Sequence, residues 1–189
     1  MRLPYVATPL DFPEPEDHAI VQRVQQRRGD AGLLELDLSL LHAPPVADGW
    51  NSFLGAIRTK TTISTSIREI AICRVAVLNK AWYEWDHHAP LLRECQNMDE
   101  GCLKAVLQTP AHESVSILDE AHASVLAYAD AMTLNVRVED SIFQRLKQSF
   151  SDREIVEITA TIAAYNCVSR FLVALDVGER NAQGKPHMR

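Results

Sequence analysis

One short run of the chain concentrates side chains able to do chemistry: Tyr83-Glu84-Trp85-Asp86-His87-His88. On a helix Glu84 shares a face with His87 at i+3 and with His88 at i+4. A carboxylate held against an imidazole fixes its tautomer and raises its basicity, which suits a general acid or base working near neutral pH. Trp82 and Trp85 alongside can wall the group off from water and enlarge any pKa shift. Glu69 is a second carboxylate of interest. On one continuous helix it would stand about 22 Å from Glu84, at 1.5 Å per residue. The two meet only if the chain turns back at Asn79-Lys80 or if a second subunit supplies one of them. Locally, Ser66 and Glu69 have the spacing of a helix-opening capping box, which gives Glu69 a purely structural role.

The elements that must hold these residues read as helices throughout. Four of the nine prolines fall within residues 1–15, so this stretch is expected to be an extended arm lying on the surface or on a neighbouring subunit. Pro15 opens a helix over 16–28, which Gly29 terminates. A helical turn over 37–42 is expected to stop at Pro44-Pro45, and apolar spacing predicts a further helix over 46–58. From Ser66 an apolar face runs to Leu78, and a second helix starts near Asn79-Lys80, with Pro90 expected to kink or loosen it close to the histidines. Asn97 is read as the cap of a helix to residue 108, Ser116 with Asp119 as the start of one to 134, and 139–150 as another. Ser151 and Glu154 form a capping box for a largely buried last helix ending near Gly178. No useful strand alternation occurs. The expected fold class is all-α, with about eight helices in a single domain over 16–178 and a frayed polar tail over 179–189.

Composition narrows the function classes. The chain has 189 residues, 47% of them hydrophobic and 23% charged, enough for a sizeable core without disulfides or a structural metal. Its 19 basic and 25 acidic residues give a net charge of -6 with both signs interspersed, against a nucleic-acid or anionic-membrane surface. No membrane span and no secretory leader are read from the sequence, so a cytoplasmic protein is expected. The four cysteines, Cys73, Cys95, Cys102 and Cys167, form no Cys-x-x-Cys and read as packing residues. Glu84 and His88 at i,i+4, with His87 or Glu69 nearby, also have metal-ligand spacing. No second Glu-x-x-His repeats it elsewhere. The nearest pattern, Asp119-x-x-His122, reads as exposed helix surface, so neither metal nor other cofactor is expected.

Residues 66–92, SIREIAICRVAVLNKAWYEWDHHAPLL, resemble the core motif of the carboxymuconolactone decarboxylase and alkylhydroperoxidase D-like superfamily. In that motif an Arg-Glu pair begins one helix, a turn follows, and the next helix carries a catalytic position with a His four residues on. A Tyr often precedes that position in the decarboxylase-like branch. Arg68-Glu69, Asn79, Tyr83, Glu84 and His88 stand at the corresponding places. The preceding PPVADGWNSFLGAIRTKT also resembles the lead-in helix, so the similarity covers roughly 44–97. The resemblance implies an all-α bundle assembling as trimers or hexamers.

The peroxidase branch of that superfamily uses a Cys-x-x-Cys whose two positions here are Ala81 and Glu84. Neither Cys73 nor Cys95 restores the pair, which weighs against a dithiol peroxidase. The resemblance then implies proton chemistry: a cofactor-independent decarboxylase, lyase or isomerase acting on a small oxygenated carboxylate or lactone. His88 is the expected proton shuttle, Glu84 orients it or shares the proton, and Glu69 supports from the other helix. Arg68 or Arg74 is expected to clamp a substrate carboxylate. His87, Tyr83 and Trp85 are expected to contact substrate. The alternatives are a non-catalytic oligomer that binds a small molecule and a residual thiol peroxidase.

Overall fold

The computed structural model describes residues 1–186, and among them nine α-helices follow one another. Among those residues no strand occurs. The helices are α1 (Pro15–Arg28), α2 (Glu35–Leu40), α3 (Pro44–Thr59), α4 (Thr65–Leu78), α5 (Trp82–Arg93), α6 (Glu100–Gln108), α7 (Glu120–Leu134), α8 (Asp140–Ser149) and α9 (Asp152–Leu175). By packing, the described residues divide into two compact units. One comprises Met1–Lys60 with Leu175–Glu179, and the other comprises Thr61–Ala174 with the segment from Arg180.

In the first unit α1 packs on α3 through a small core that includes Ile20, Val21, Val24, Leu54 and Ile57. Gly29, with φ +58°, ends α1 in a backbone conformation that a side chain would strain. Helix α2 ends at Leu40, ahead of Pro44 and Pro45. They occupy the first two positions of α3, where proline's fixed φ fits and its missing N–H costs nothing. The N-terminal arm is extended and lies on its own unit, with Arg2 N–H donating to the Leu175 carbonyl at 2.7 Å and Val6 N–H to that of Leu38 at 3.2 Å.

The second unit is built around α4, which packs against α5, α6 and α7. Its residues Ile70 to Ala76 are wholly buried, so the helix is covered on all sides rather than along one stripe. Two charged side chains, Glu69 and Arg74, are buried with them.

The start of α4 differs from the capping box read in the sequence. Ser64 caps it, its Oγ accepting from Ile67 N–H at 3.3 Å, and Glu69 turns into the interior. Likewise Asp99 rather than Asn97 caps α6, and Asp119 caps α7. Asn97 has φ +65° and belongs to the turn before α6. The Ser151–Glu154 box does form, with Ser151 N–H on Glu154 Oε2 at 2.9 Å and Glu154 N–H on Ser151 Oγ at 3.4 Å.

After α9, Arg180 and Asn181 at the start of the expected polar tail are held against the second unit, while residues 181–185 are exposed. Arg180 pairs with Asp86 of α5 at 2.6 Å, and Asn181 donates to the Val173 carbonyl at 2.8 Å. Residues 187–189 of the expected tail lie outside the described residues. By length and composition α9 could cross a membrane, but its face carrying Ile158, Ile162, Tyr165 and Leu172 is buried.

Candidate active site

The site depends on how α4 hands over to α5. Lys80 takes φ +56°, its N–H bonds the Val77 carbonyl at 3.1 Å, and Ala81 N–H bonds that of Ala76 at 2.8 Å. This pair of bonds closes a Schellman turn around a residue in the left-handed region. Asn79 Nδ2 ties the turn to α9 by donating to Asn166 Oδ1 at 3.1 Å. The chain therefore folds back, and α5 runs along α4 from Trp82. Pro90 sits inside α5 without ending it. Its missing N–H leaves the Asp86 carbonyl without a helical donor, at a residue open to water.

The fold-back brings His88 onto Glu69. His88 Nδ1 lies 2.6 Å from Glu69 Oε2, with Glu69 fully buried and His88 only 7% exposed. An ionised Glu69 accepts from Nδ1–H, which leaves the lone pair on Nε2 and makes that atom the one able to take or give a proton. The other carboxylate oxygen, Oε1, accepts from Arg68 Nε at 3.3 Å. The Tyr165 ring meets His88 edge-on, with centroids 5.0 Å apart and planes at 85°.

Glu84 is held differently from the sequence expectation. It does not orient His88: its carboxyl group accepts from the Ser169 hydroxyl on α9, which lies 3.0 and 3.1 Å from its two oxygens. Burial pushes the Glu84 carboxyl well above its ordinary value, and the Ser169 hydrogen bond recovers only part of the shift. Two carboxyl groups with separate environments result, one in a charged network and one favoured in its acid form.

Cys73 lies between these two influences. It is fully buried, and burial, then the charges of Glu69 and Glu84, push its thiol well up. Burial, then Glu69, also raises Cys95, with Arg68 acting in the opposite sense. Both environments oppose a reactive thiolate.

Arg74 requires a correction. Its side chain is fully buried, with Nε on Asp130 Oδ1 and Nη2 2.9 Å from Asp130 Oδ2. Its Nη1 donates to the carbonyls of Val106 at 2.9 Å and Thr109 at 3.0 Å. A guanidinium with every nitrogen engaged by protein acceptors fastens α4 to α7 and the end of α6, and does not clamp a substrate. Tyr83 and Trp85 are buried on α5, whereas His87 is exposed. The His87 Nδ1–H donates to the Tyr83 carbonyl at 2.8 Å, and its ring lies 4.2 Å from the Tyr83 ring.

Tyr165 and Ser169 were not singled out in the sequence. The available signal was their i,i+4 spacing among the apolar residues of α9, a polar pair facing a buried stripe. His122, read as exposed surface, is instead mostly covered, with 12% of its side chain accessible. Among the described residues no group of three or more His, Cys, Asp or Glu side chains converges as metal ligands would.

No protein-family model matches the chain, and no curated protein sequence does. Solved structures do. A peroxidase-related protein of uncharacterised function from Silicibacter sp. TM1040 is 17% identical, with 92% of this chain and 91% of that one covered at a TM-score of 0.70. The debrominase Bmp8 in its apo form is 19% identical, covering 86% and 85% at a TM-score of 0.66. An Agrobacterium tumefaciens protein described as a possible AhpD antioxidant defence protein is 20% identical, covering 71% and 90% at a TM-score of 0.64.

Proposed function

We propose, from the premise that the chain has the AhpD-like fold of the carboxymuconolactone decarboxylase and alkylhydroperoxidase D-like superfamily, that it is an enzyme of proton transfer. Its reaction is a cofactor-independent decarboxylation of a small oxygenated carboxylate, either a lactone or a β-keto acid. The observation that carries this reading is the buried Glu69–His88 contact at 2.6 Å, which makes His88 Nε2 the working atom.

In such a reaction the C–C bond to the carboxylate breaks, CO2 leaves, and the electron pair passes into the neighbouring carbonyl as an enolate. The carbon is then reprotonated. His88 in its charged form delivers that proton from Nε2, and Glu69 stabilises the imidazolium. Arg68, whose guanidinium adjoins Glu69, offers donors to the anionic substrate. Burial shifts the Glu84 carboxyl toward its acid form, which suits a second proton donor to the developing enolate oxygen. Tyr83 and Trp85 supply apolar lining, and His87 is the exposed contact.

One feature of the sequence and one of the structure weigh against thiol peroxidase chemistry. Ala81 and Glu84 occupy the positions of the Cys pair, and the Cys73 thiol is pushed up rather than down. The same reading expects a cytoplasmic homo-oligomer, a trimer or hexamer, which light scattering measures directly.

The deciding assay is CO2 release by purified protein from γ-carboxymuconolactone and a set of β-keto acids. Release that disappears in folded Glu69→Gln and His88→Ala variants supports the proposal. Absence of release from every substrate, with the protein folded, overturns the decarboxylase reading.

A further inference from the structure

Ser66, His122 and Asp119 form a second hydrogen-bonded line, at the N-terminal end of α4. His122 Nδ1 lies 2.7 Å from Asp119 Oδ1, and His122 Nε2 lies 2.9 Å from Ser66 Oγ. Asp119 also caps α7 by accepting from His122 N–H at 2.9 Å, so the carboxylate and the imidazole are held in one fixed local geometry. Burial raises the Asp119 carboxyl, but the hydrogen bonds from the His122 backbone and ring outweigh it, and the group stays below its ordinary value. An ionised Asp119 takes the Nδ1–H of His122. The Nε2 lone pair then faces the Ser66 hydroxyl, which donates to it.

This is the order of contacts that activates a serine: carboxylate, imidazole, hydroxyl. The three residues also line one cleft, of about 380 Å³, together with Ser64, Thr65 and Asn97. That volume lies in the range of small-molecule sites. Fourteen residues of helix follow Ser64. The N–H groups of Thr65 and Ser66 are in its first turn, where a helix provides no acceptor of its own, so they can receive an oxyanion beside the Ser66 oxygen.

We propose that this cleft is an acyl-transfer site, separate from the Glu69–His88 pair, in which Ser66 is the nucleophile for small uncharged esters. Ser66 Oγ attacks the ester carbonyl carbon while its proton passes to His122 Nε2. The tetrahedral oxyanion collapses, the bond to the alcohol oxygen breaks, and His122 returns the proton to the departing alcohol. Water then attacks the acyl-Ser66 carbonyl and gives a proton to His122. Collapse of the second tetrahedral intermediate releases the carboxylic acid, and His122 restores the proton to Ser66. Ester and water become acid and alcohol, with no redox change. The Asp119 side chain is 65% exposed, so the relay is more hydrated than a buried one and turnover is slow. A covalent label is therefore the sensitive readout.

The test treats the full-length protein with a fluorophosphonate probe, maps the adduct by mass spectrometry, and follows p-nitrophenyl acetate hydrolysis in parallel. The expected result is an adduct on Ser66 and not on Ser64, absent in Ser66→Ala. His122→Gln is expected to slow labelling and hydrolysis by about 10²-fold or more, the usual contribution of a positioned base. Asp119→Asn, which keeps an acceptor at the α7 cap, is the second variant and is expected to slow both as well. Circular dichroism identifies the variants that fold. An adduct elsewhere, no adduct, or labelling of Ser66 at an unchanged rate in whichever of the His122 and Asp119 variants folds overturns the proposal.

Discussion

Ser169 Oγ stands within hydrogen-bond distance of both carboxyl oxygens of Glu84, across 85 residues of sequence, in a place where Glu84 is only 2% exposed. One hydroxyl cannot replace the hydration of a carboxylate, so the neutral acid is the favoured form. The folded value is raised above the ordinary 4.5. Between those two values the folded protein therefore binds more protons than the unfolded chain. The Glu84 contribution is fully present below about pH 4.5 and is lost as pH rises toward the folded value. Glu84→Gln removes this dependence. Urea unfolding from pH 4 upward should show wild type losing stability relative to the variant by up to about 1.4 kcal/mol per pH unit. A constant difference across the series would contradict the assignment.

Glu69→Gln separates charge from geometry at the other carboxyl group. The amide oxygen can still accept from His88 Nδ1–H, but it no longer stabilises an imidazolium. Turnover is expected to fall by about 10²–10⁴-fold with the fold intact. Nitrogen NMR of the His88 ring checks the second half of the statement, since the Nδ1–H tautomer should persist.

The Arg74–Asp130 pair predicts a stability effect without a direct chemical one. Asp130→Ala strands a buried guanidinium and also removes the acceptor of His112 N–H, so a loss of about 3–5 kcal/mol is expected in chemical denaturation. Replacing both partners with apolar residues, Arg74→Met with Asp130→Leu, should cost less than the sum of the single changes, because no orphan charge remains.

Lys80 holds a left-handed conformation that costs a side-chain-bearing residue about 1–2 kcal/mol. Glycine removes that cost but loses about 0.5–1 kcal/mol through the freedom it gains in the unfolded chain. Lys80→Gly is thus expected to stabilise by about 0.5–1 kcal/mol. Thermal unfolding at fixed pH measures it.

Cysteine reactivity should follow exposure. Cys167 is exposed and Cys73 is fully buried with its thiol pushed up, so a disulfide reagent should modify Cys167 first and reach Cys73 only on unfolding. Rapid modification of Cys73 in the folded protein would reopen thiol chemistry.

The helical order and the α4–α5 turn were readable because periodicity, caps and the Asn79-Lys80 break are local. Granting that turn brings Glu69 and the second helix together, which is as far as the sequence reading goes. The roles within the pair were not readable. Glu84 shares a helix with His88, so local spacing favoured their partnership, whereas the packing of α9 gave Glu84 to Ser169 and left His88 to Glu69. Ser64 and Ser66 both suit a helix start, and only the interior position of Glu69 decides between them. Arg74 looked available because its partner Asp130 lies 56 residues further on. The misses at Glu84, His88 and Arg74 each concern a polar group whose partner comes from another helix.

The tight turn at Lys80 also sets a rule for insertions and deletions. It fixes where α5 begins, so the angular position of His88 depends on the residue count between the turn and His88. One residue added or removed there swings the imidazole about 100° around the helix axis and away from Glu69. Four residues added nearly restore the angle but carry the ring about 6 Å along the axis. The spacing from Lys80 to His88 is therefore a phase as well as a length, and no number of added residues up to a full turn preserves both.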